Sequence, residues 1–398
     1  MSLDQASCPH ALLYRQWEAL PEQPVTAVGD HWLVSSHALV RQVLNDPEAF
    51  SPDNALDAVT PMTTNALRIL TQHGFRLPHT LANNSTSSHA GIRGVVAEFL
   101  QPTRVAEQRD FVATFVRGQV AEAAARLDDG DQVDLHQVIS HALPLVTLGR
   151  LIALPADDVE VVKRFSSSAL ELFWAPLDAA RQLRLATIVG EYHGRLRLFA
   201  RTGPGLAATL RAHSADNNLD EDDIVAVLFF LLVAGQETTS QFLTALMYRL
   251  LQEPAVVRGV VDGSTSVSDV VAEGLRTDTS VVTWRRVTTR EVELGGVVIP
   301  AGESVVLRLA AAGRDPAIVA EPHAFVPGQQ GSRRHLSFGA GLHRCLGAYL
   351  ATMEAEVVVE ESARLLARCQ VVAAPGHAEN LSFRMPDALV VARFPSGL

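Results

Sequence analysis

Cysteine is nearly absent from these 398 residues: Cys8, Cys345 and Cys369 are the whole supply. Three scattered thiols build no disulfide framework, so a reducing, cytoplasmic setting is expected. Long apolar runs are missing too. The longest, IVAVLFFLLVAG at 224–235, covers a dozen residues; it suits a buried helix, is too short to span a bilayer, and implies no membrane association. The opening MSLDQASCPH has no charged stretch followed by an apolar one, so no signal peptide is read. Basic residues are outnumbered, 33 Lys and Arg against 44 Asp and Glu, and the net charge of −11 disfavours nucleic acid as a partner. No repeat, low-complexity tract or proline-rich linker divides the chain, so residues 1–398 are expected to form one domain. What remains is an ordinary globular composition, 47% hydrophobic and 19% charged, enough for a sizeable core.

Helical patterning dominates. HALVRQVLND (37–46) places Leu39, Val40, Val43 and Leu44 on one face and meets Pro47 just after its end. Helices are also expected over 91–100, 104–127, 139–152, 157–173, 178–201, 222–252, 268–276 and 347–368. Strand patterns are fewer: 25–35, 292–299 with a Gly-Gly hairpin turn, 303–310 and 388–394. A mostly α fold with small β-sheets is expected, its β-rich part near 25–35 and 280–310. The stretch 52–88 is rich in Pro, Asn, Ser and Thr and poor in periodicity, and is expected to be a lid or pocket wall.

One cysteine has unusual neighbours. HLSFGAGLHRCLG (335–347) surrounds Cys345 with glycines, two histidines and an arginine, and a helical pattern starts right after it. A cysteine at a helix N-terminus meets the positive end of the macrodipole, which favours thiolate. Such a sulfur suits a nucleophile or a soft metal ligand, and a lone free cysteine is also commonly just a small buried residue. Zinc would require a full set of further Cys or His ligands at close spacing, which is absent, and nothing selects His343 as the base of a thiol protease.

FGAGLHRCLG (338–347) resembles the haem-binding signature of the cytochrome P-450 family, F-G-x-G-x-H-x-C-x-G, at every fixed position. The resemblance implies Cys345 as the proximal thiolate of haem iron, with Phe338, Gly339 and Gly347 shaping the loop and His343 near a propionate. VAGQETTS (233–240) resembles the family's A-G-x-[DE]-T segment, which implies that Ala234 and Gly235 leave a gap for O2 while Glu237 and Thr238 supply protons and hydrogen bonds. EGLR resembles the family's E-x-x-R ion pair, here Glu273 and Arg276, placed three apart on one helical surface. The arginine that usually completes that network is replaced by Gln329, so either Arg333 or Arg334 substitutes or neutral hydrogen bonds do. HAGIR (89–93) resembles the H-x-x-x-R pair, and WRRVTTREVELGGVVIPAGESV (284–305) resembles the family's segment ending in I-P-x-G, with Arg286 where it reads R-x-A; these imply that His89, Arg93 and Arg286 join His343 around the propionates.

The resemblance implies one P-450 fold, with haem b (iron protoporphyrin IX) between a long central helix and the helix after the cysteine loop. It implies an O2-activating monooxygenase of bacterial secondary metabolism, working as a monomer on a small hydrophobic substrate. Electrons would come from NAD(P)H through a ferredoxin reductase and a ferredoxin, the latter docking near Arg104, Arg333, Arg334 and Arg344. The pocket is expected to be walled by residues 60–88 with Phe173, Trp174, Phe230, Val233, Val281, Val282, Trp284 and Phe383. Residues 32–46, 65–67 and 89–93 are also similar to family members that couple the rings of a tyrosine cyclodipeptide. That likeness points to a cyclodipeptide or a related aromatic product. Oxidative C–C or C–N coupling without oxygen insertion, and hydroxylation of a terpene, macrolide or fatty acid, are the alternatives.

Overall fold

The computed structural model describes residues 23–155, 159–217 and 219–394. Cys8 and the opening segment lie outside the described residues, as do 157–158 at the start of one expected helix. Helices make up most of the body and the strands are short, as the patterning leads one to expect. Five strands form one sheet in the order Val25–Val28, His31–Val34, Ser304–Leu307, Trp284–Thr288 and Phe50–Ser51. His31–Val34 runs parallel to Ser304–Leu307, and the other pairings are antiparallel. The Gly-Gly hairpin forms where its sequence places it, pairing Val292–Leu294 with Val297–Ile299.

Two expected long helices are broken. The 104–127 pattern is split into Pro102–Ala106 and Arg109–Asp128. The 222–252 pattern is two helices, Glu221–Ala234 and Glu237–Gln252. The first begins with a capping box between Asp220 and Asp223, which satisfies two otherwise free amides. It stops at Gly235, where a Cβ would lie 2.7 Å from the Leu231 carbonyl oxygen and 2.9 Å from the Leu148 side chain. Gln236 then leaves helical geometry, at φ −131° and ψ −40°. By length and composition the 221–252 span could cross a membrane, but 72% of its apolar window is buried inside the body, the mark of a core helix.

The irregular 52–88 stretch is also more ordered than its composition suggests. It contains the helix Thr64–Gln72, which the Thr63 side chain caps by accepting from the Ala66 amide. That helix packs on the long helix Ala179–Thr202 through Gln182, which accepts from the Thr63 amide and donates to the Pro61 carbonyl.

Candidate active site

Two left-handed glycines shape the cysteine loop. Gly339 and Gly341 have φ of 65° and 68°, and a Cβ at Gly341 would sit 2.5 Å from the Leu44 carbonyl oxygen, so side chains are excluded there. A single 3-10 turn, Gly341–His343, follows. The Cys345 amide donates to the Phe338 carbonyl at 2.9 Å, and Gly347 caps the helix Ala348–Leu366. Burial pushes the Cys345 thiol above its ordinary value, against the opposing pull of the Gly347 amide, Arg344, Arg93 and the Ala348 amide. The exposed surface of Cys345 faces an internal cavity. Cys369 differs: it is packed in the core and its thiol is pushed up to about 11.

Ala234, Gly235 and Thr238 of the broken helix wall that same cavity, together with Phe338, Gly339 and Gly347 of the loop. The walls leave about 1530 Å³ free of protein atoms, open mouth included. Cations gather along one part of it. Arg93, Arg286 and His343 are lining residues, while His89 stands behind, its ring 4.5 Å from that of His343. Arg286 is 2% exposed and donates to the neighbouring Arg285 carbonyl; burial pushes its guanidinium down to about 10. Burial, with Arg286 and His89, pushes His343 down to about 4. Both His89 ring nitrogens and His343 Nε2 are buried without a hydrogen-bond partner. Buried cations and orphaned imidazoles cost free energy unless an anion joins them. A planar group with a soft-ligand centre and carboxylates at its edge fits these residues, and haem is such a group.

The acid and alcohol expected at the break part company. Thr238 lines the cavity and its Oγ1 donates to the Ala234 carbonyl at 2.7 Å. Glu237 is not a cavity wall: it is 6% exposed, and its Oε1 lies 2.9 Å from Lys163 Nζ. That contact is an ion pair by distance, since Oε1 has no partner with hydrogen-bond geometry. Lys163 Nζ donates instead to Gln236 Oε1 at 2.7 Å. Sequence reasoning missed Lys163, although a signal was present: it is the only lysine in a chain otherwise supplied with arginine. That sole lysine is 4% exposed, and a buried ammonium is rare unless it is paired.

Glu273 and Arg276 pair three residues apart on one helix, as expected, but inside the core. Both side chains are fully buried, with Arg276 NH2 2.7 Å from Glu273 Oε1 and Arg276 Nε 2.9 Å from Oε2. Gln329 does take the third place, donating to Oε1 at 2.6 Å, and Ser332 donates to Oε2 at 2.6 Å. Neutral hydrogen bonds therefore complete the network, while Arg333 pairs with Asp269 at the surface. Burial raises the Glu273 carboxyl, but hydrogen bonds from Arg276, Ser332 and the Val326 amide win and hold it below its ordinary value.

Among the expected pocket residues, Trp174, Phe230, Val233, Trp284 and Phe383 line the cavity. Phe173 and Val282 do not. Phe173 turns into the core, its ring 6.2 Å from that of Phe229. Val282 is fully buried, whereas its neighbour Val281, also expected at the wall, does line the cavity. From the 60–88 stretch only Leu81 and Ala82 reach the cavity.

A family model described as cytochrome P450 matches residues 265–395. The chain is 31% identical over 350 residues to the cytochrome P450 monooxygenase PikC of Streptomyces venezuelae, covering 86% of this chain and 79% of that protein. It is 30% identical over 333 residues to the 20-oxo-5-O-mycaminosyltylactone 23-monooxygenase of Streptomyces fradiae, covering 82% and 75%. Among solved structures, cytochrome P450 CREJ in complex with (4-ethylphenyl) dihydrogen phosphate superposes with a TM-score of 0.88 at 29% identity, covering 94% of each chain.

Proposed function

This chain belongs to the cytochrome P450 family, and from that premise we propose that it oxidises a small, uncharged, aromatic or otherwise apolar natural product in bacterial secondary metabolism. The cavity that Cys345 shares with Thr238 and the aromatic side chains carries the proposal. Haem bound there supplies the reductive activation of O2 that a monooxygenase needs. Cys345 would ligate its iron, and Arg93, Arg286 and His343, backed by His89, would hold its propionates.

The chain's own residues then divide the remaining work. Phe338 and the loop glycines keep the sulfur in place. Thr238 Oγ1 holds a proton that it now gives to the Ala234 carbonyl and can give to a ligand in the cavity. Glu237 stands one residue away, its Oε1 2.9 Å from Lys163 Nζ, so an acid–base pair sits at the break beside the alcohol. Retention of this acid–alcohol pair supports oxygen insertion over oxidative coupling. The substrate reading favours an aromatic product such as a cyclodipeptide, because Trp174, Trp284 and Phe383 line the chamber. Electrons from NAD(P)H would arrive through a ferredoxin reductase and an acidic ferredoxin, for which Arg104, Arg334 and Arg344 are exposed.

Carbon monoxide added to the reduced holoprotein tests the sulfur. A strongly red-shifted Soret band is expected, with its loss in Cys345→Ser. A histidine-type spectrum in the wild type, or an unchanged band in the variant, refutes the assignment.

A further inference from the structure

Three aromatic side chains from distant parts of the chain meet at one end of the cavity. The Trp174 and Trp284 rings lie 6.3 Å apart at 26°. Phe383 stands edge-on to both, 5.1 Å from Trp174 and 6.2 Å from Trp284. Their backbones are tied together. The Leu381 amide donates to the Trp174 carbonyl and the Val282 amide to the Ser382 carbonyl, each at 2.8 Å. Thr283 Oγ1 donates to the Leu381 carbonyl at 2.7 Å, and Val281 bridges to Phe383.

Two observations indicate what the box takes. Trp174 Nε1 is buried and has no acceptor in the protein. A buried N–H left unpaired costs free energy, so a ligand that accepts from it gains more than one that merely fills space. Moreover, among the described residues no Asp or Glu lines the cavity, whereas Arg93, Arg286 and Arg344 do. An indole N–H presents the wrong sign to a cationic ligand.

We propose that Trp174, Trp284 and Phe383 form the specificity subsite for an uncharged aromatic ring carrying a hydrogen-bond acceptor, with the Trp174 indole turning to donate to that acceptor. The inference rests on the cavity being the substrate chamber, as proposed above. The carbon monoxide spectrum tests that reading separately, so the two can fail independently.

Calorimetric binding to the holoprotein separates ring from acceptor, using 2-acetylnaphthalene, 2-ethylnaphthalene and 2-acetyldecalin as probes. The wild type should bind the acetylnaphthalene about fivefold more tightly than the ethyl analogue, as one net hydrogen bond allows. Trp174→Phe keeps a ring and should abolish that preference. Trp284→Ala should weaken both naphthalenes about tenfold while leaving the decalin unchanged, as loss of an aromatic pair allows, and Trp284→Phe should restore most of the affinity. Equal binding of ring and decalin, a ketone preference that survives in Trp174→Phe, or no binding of either naphthalene would overturn the proposal. So would tighter binding of a trimethylammonium-bearing naphthalene, which would make the box a cation cage.

Discussion

The protein buries two acid–base pairs near its cavity, and they are built in opposite ways. Glu273–Arg276 is saturated. Its carboxylate also accepts from Gln329, Ser332 and the Val326 amide, and its guanidinium also donates to the Gly313, Pro322 and Ala324 carbonyls. Glu237–Lys163 is sparse. Around it Gln236 Nε2, Glu237 Oε1, Ser240 Oγ and Gln241 Oε1 are buried without hydrogen-bond partners. A buried pair repays its desolvation only when its remaining donors and acceptors are met. The first pair is therefore a fixed strut, and the second keeps unused capacity at the helix break beside Thr238. Saturation, rather than burial or charge, separates the two pairs.

Breaking the strut should have the largest effect. Arg276→Ala strands a carboxylate among fixed donors and should cost about 3–5 kcal/mol. Chemical denaturation would read this cost, together with poor recovery of haem-loaded protein. Lys163→Met should be milder for the fold, about 1–3 kcal/mol, because it removes one ion pair and one hydrogen bond to Gln236 rather than a saturated network. Its signature should lie in chemistry: NAD(P)H consumed without product should rise several-fold, whereas Lys163→Arg should restore stability better than coupling. Equal coupling in the wild type and Lys163→Met would make the second pair a strut as well.

Gln329→Leu sharpens the contrast from the other side. Glu273 keeps three donors without it, so the loss should be only about 1 kcal/mol, read as a shifted urea midpoint. A last prediction concerns pH. Burial, with His141 next in weight, pushes His136 down to about 4, and its Nδ1 meets Thr244 near Lys163 and Glu237. The folded state then resists a proton that the unfolded chain accepts near 6.5, so stability should fall as pH drops from about 6.5 towards 4. Glu273, held low, contributes fully above its ordinary value and loses its share only as pH falls through its lower folded one. In a series of urea midpoints His136→Asn should make the slope between those pH values shallower by up to about one proton; an unchanged slope would clear His136.

The residues that announced themselves were those whose chemistry is local. FGAGLHRCLG needs left-handed glycines two apart, and the Gly-Gly hairpin needs a turn, so both are legible in a dozen letters. Which face of an element meets the cavity is a tertiary matter. Phe173 and Trp174 are equally apolar neighbours on one helix, about 100° apart, and only packing against Phe229 decides which points inward. Val281 and Val282 pose the same problem in an extended segment. The break at Gly235 was hidden because a glycine alone does not end a helix, and the Leu148 side chain that leaves no room for a Cβ there comes from a distant helix. Gln329 looked like a gap in a charged network, and Ser332 went unnoticed, because hydrogen-bond saturation leaves no pattern in sequence.

The lone lysine has a practical corollary. An endoprotease that cleaves after lysine can cut at a single bond in these 398 residues, the one following residue 163, and that bond lies within the helix Val159–Trp174. Cleavage has to wait until this helix lifts from the helix break, so the appearance of two fragments times the opening of that one seam. The chain thus carries its own single-site clock for local unfolding, with no label to attach.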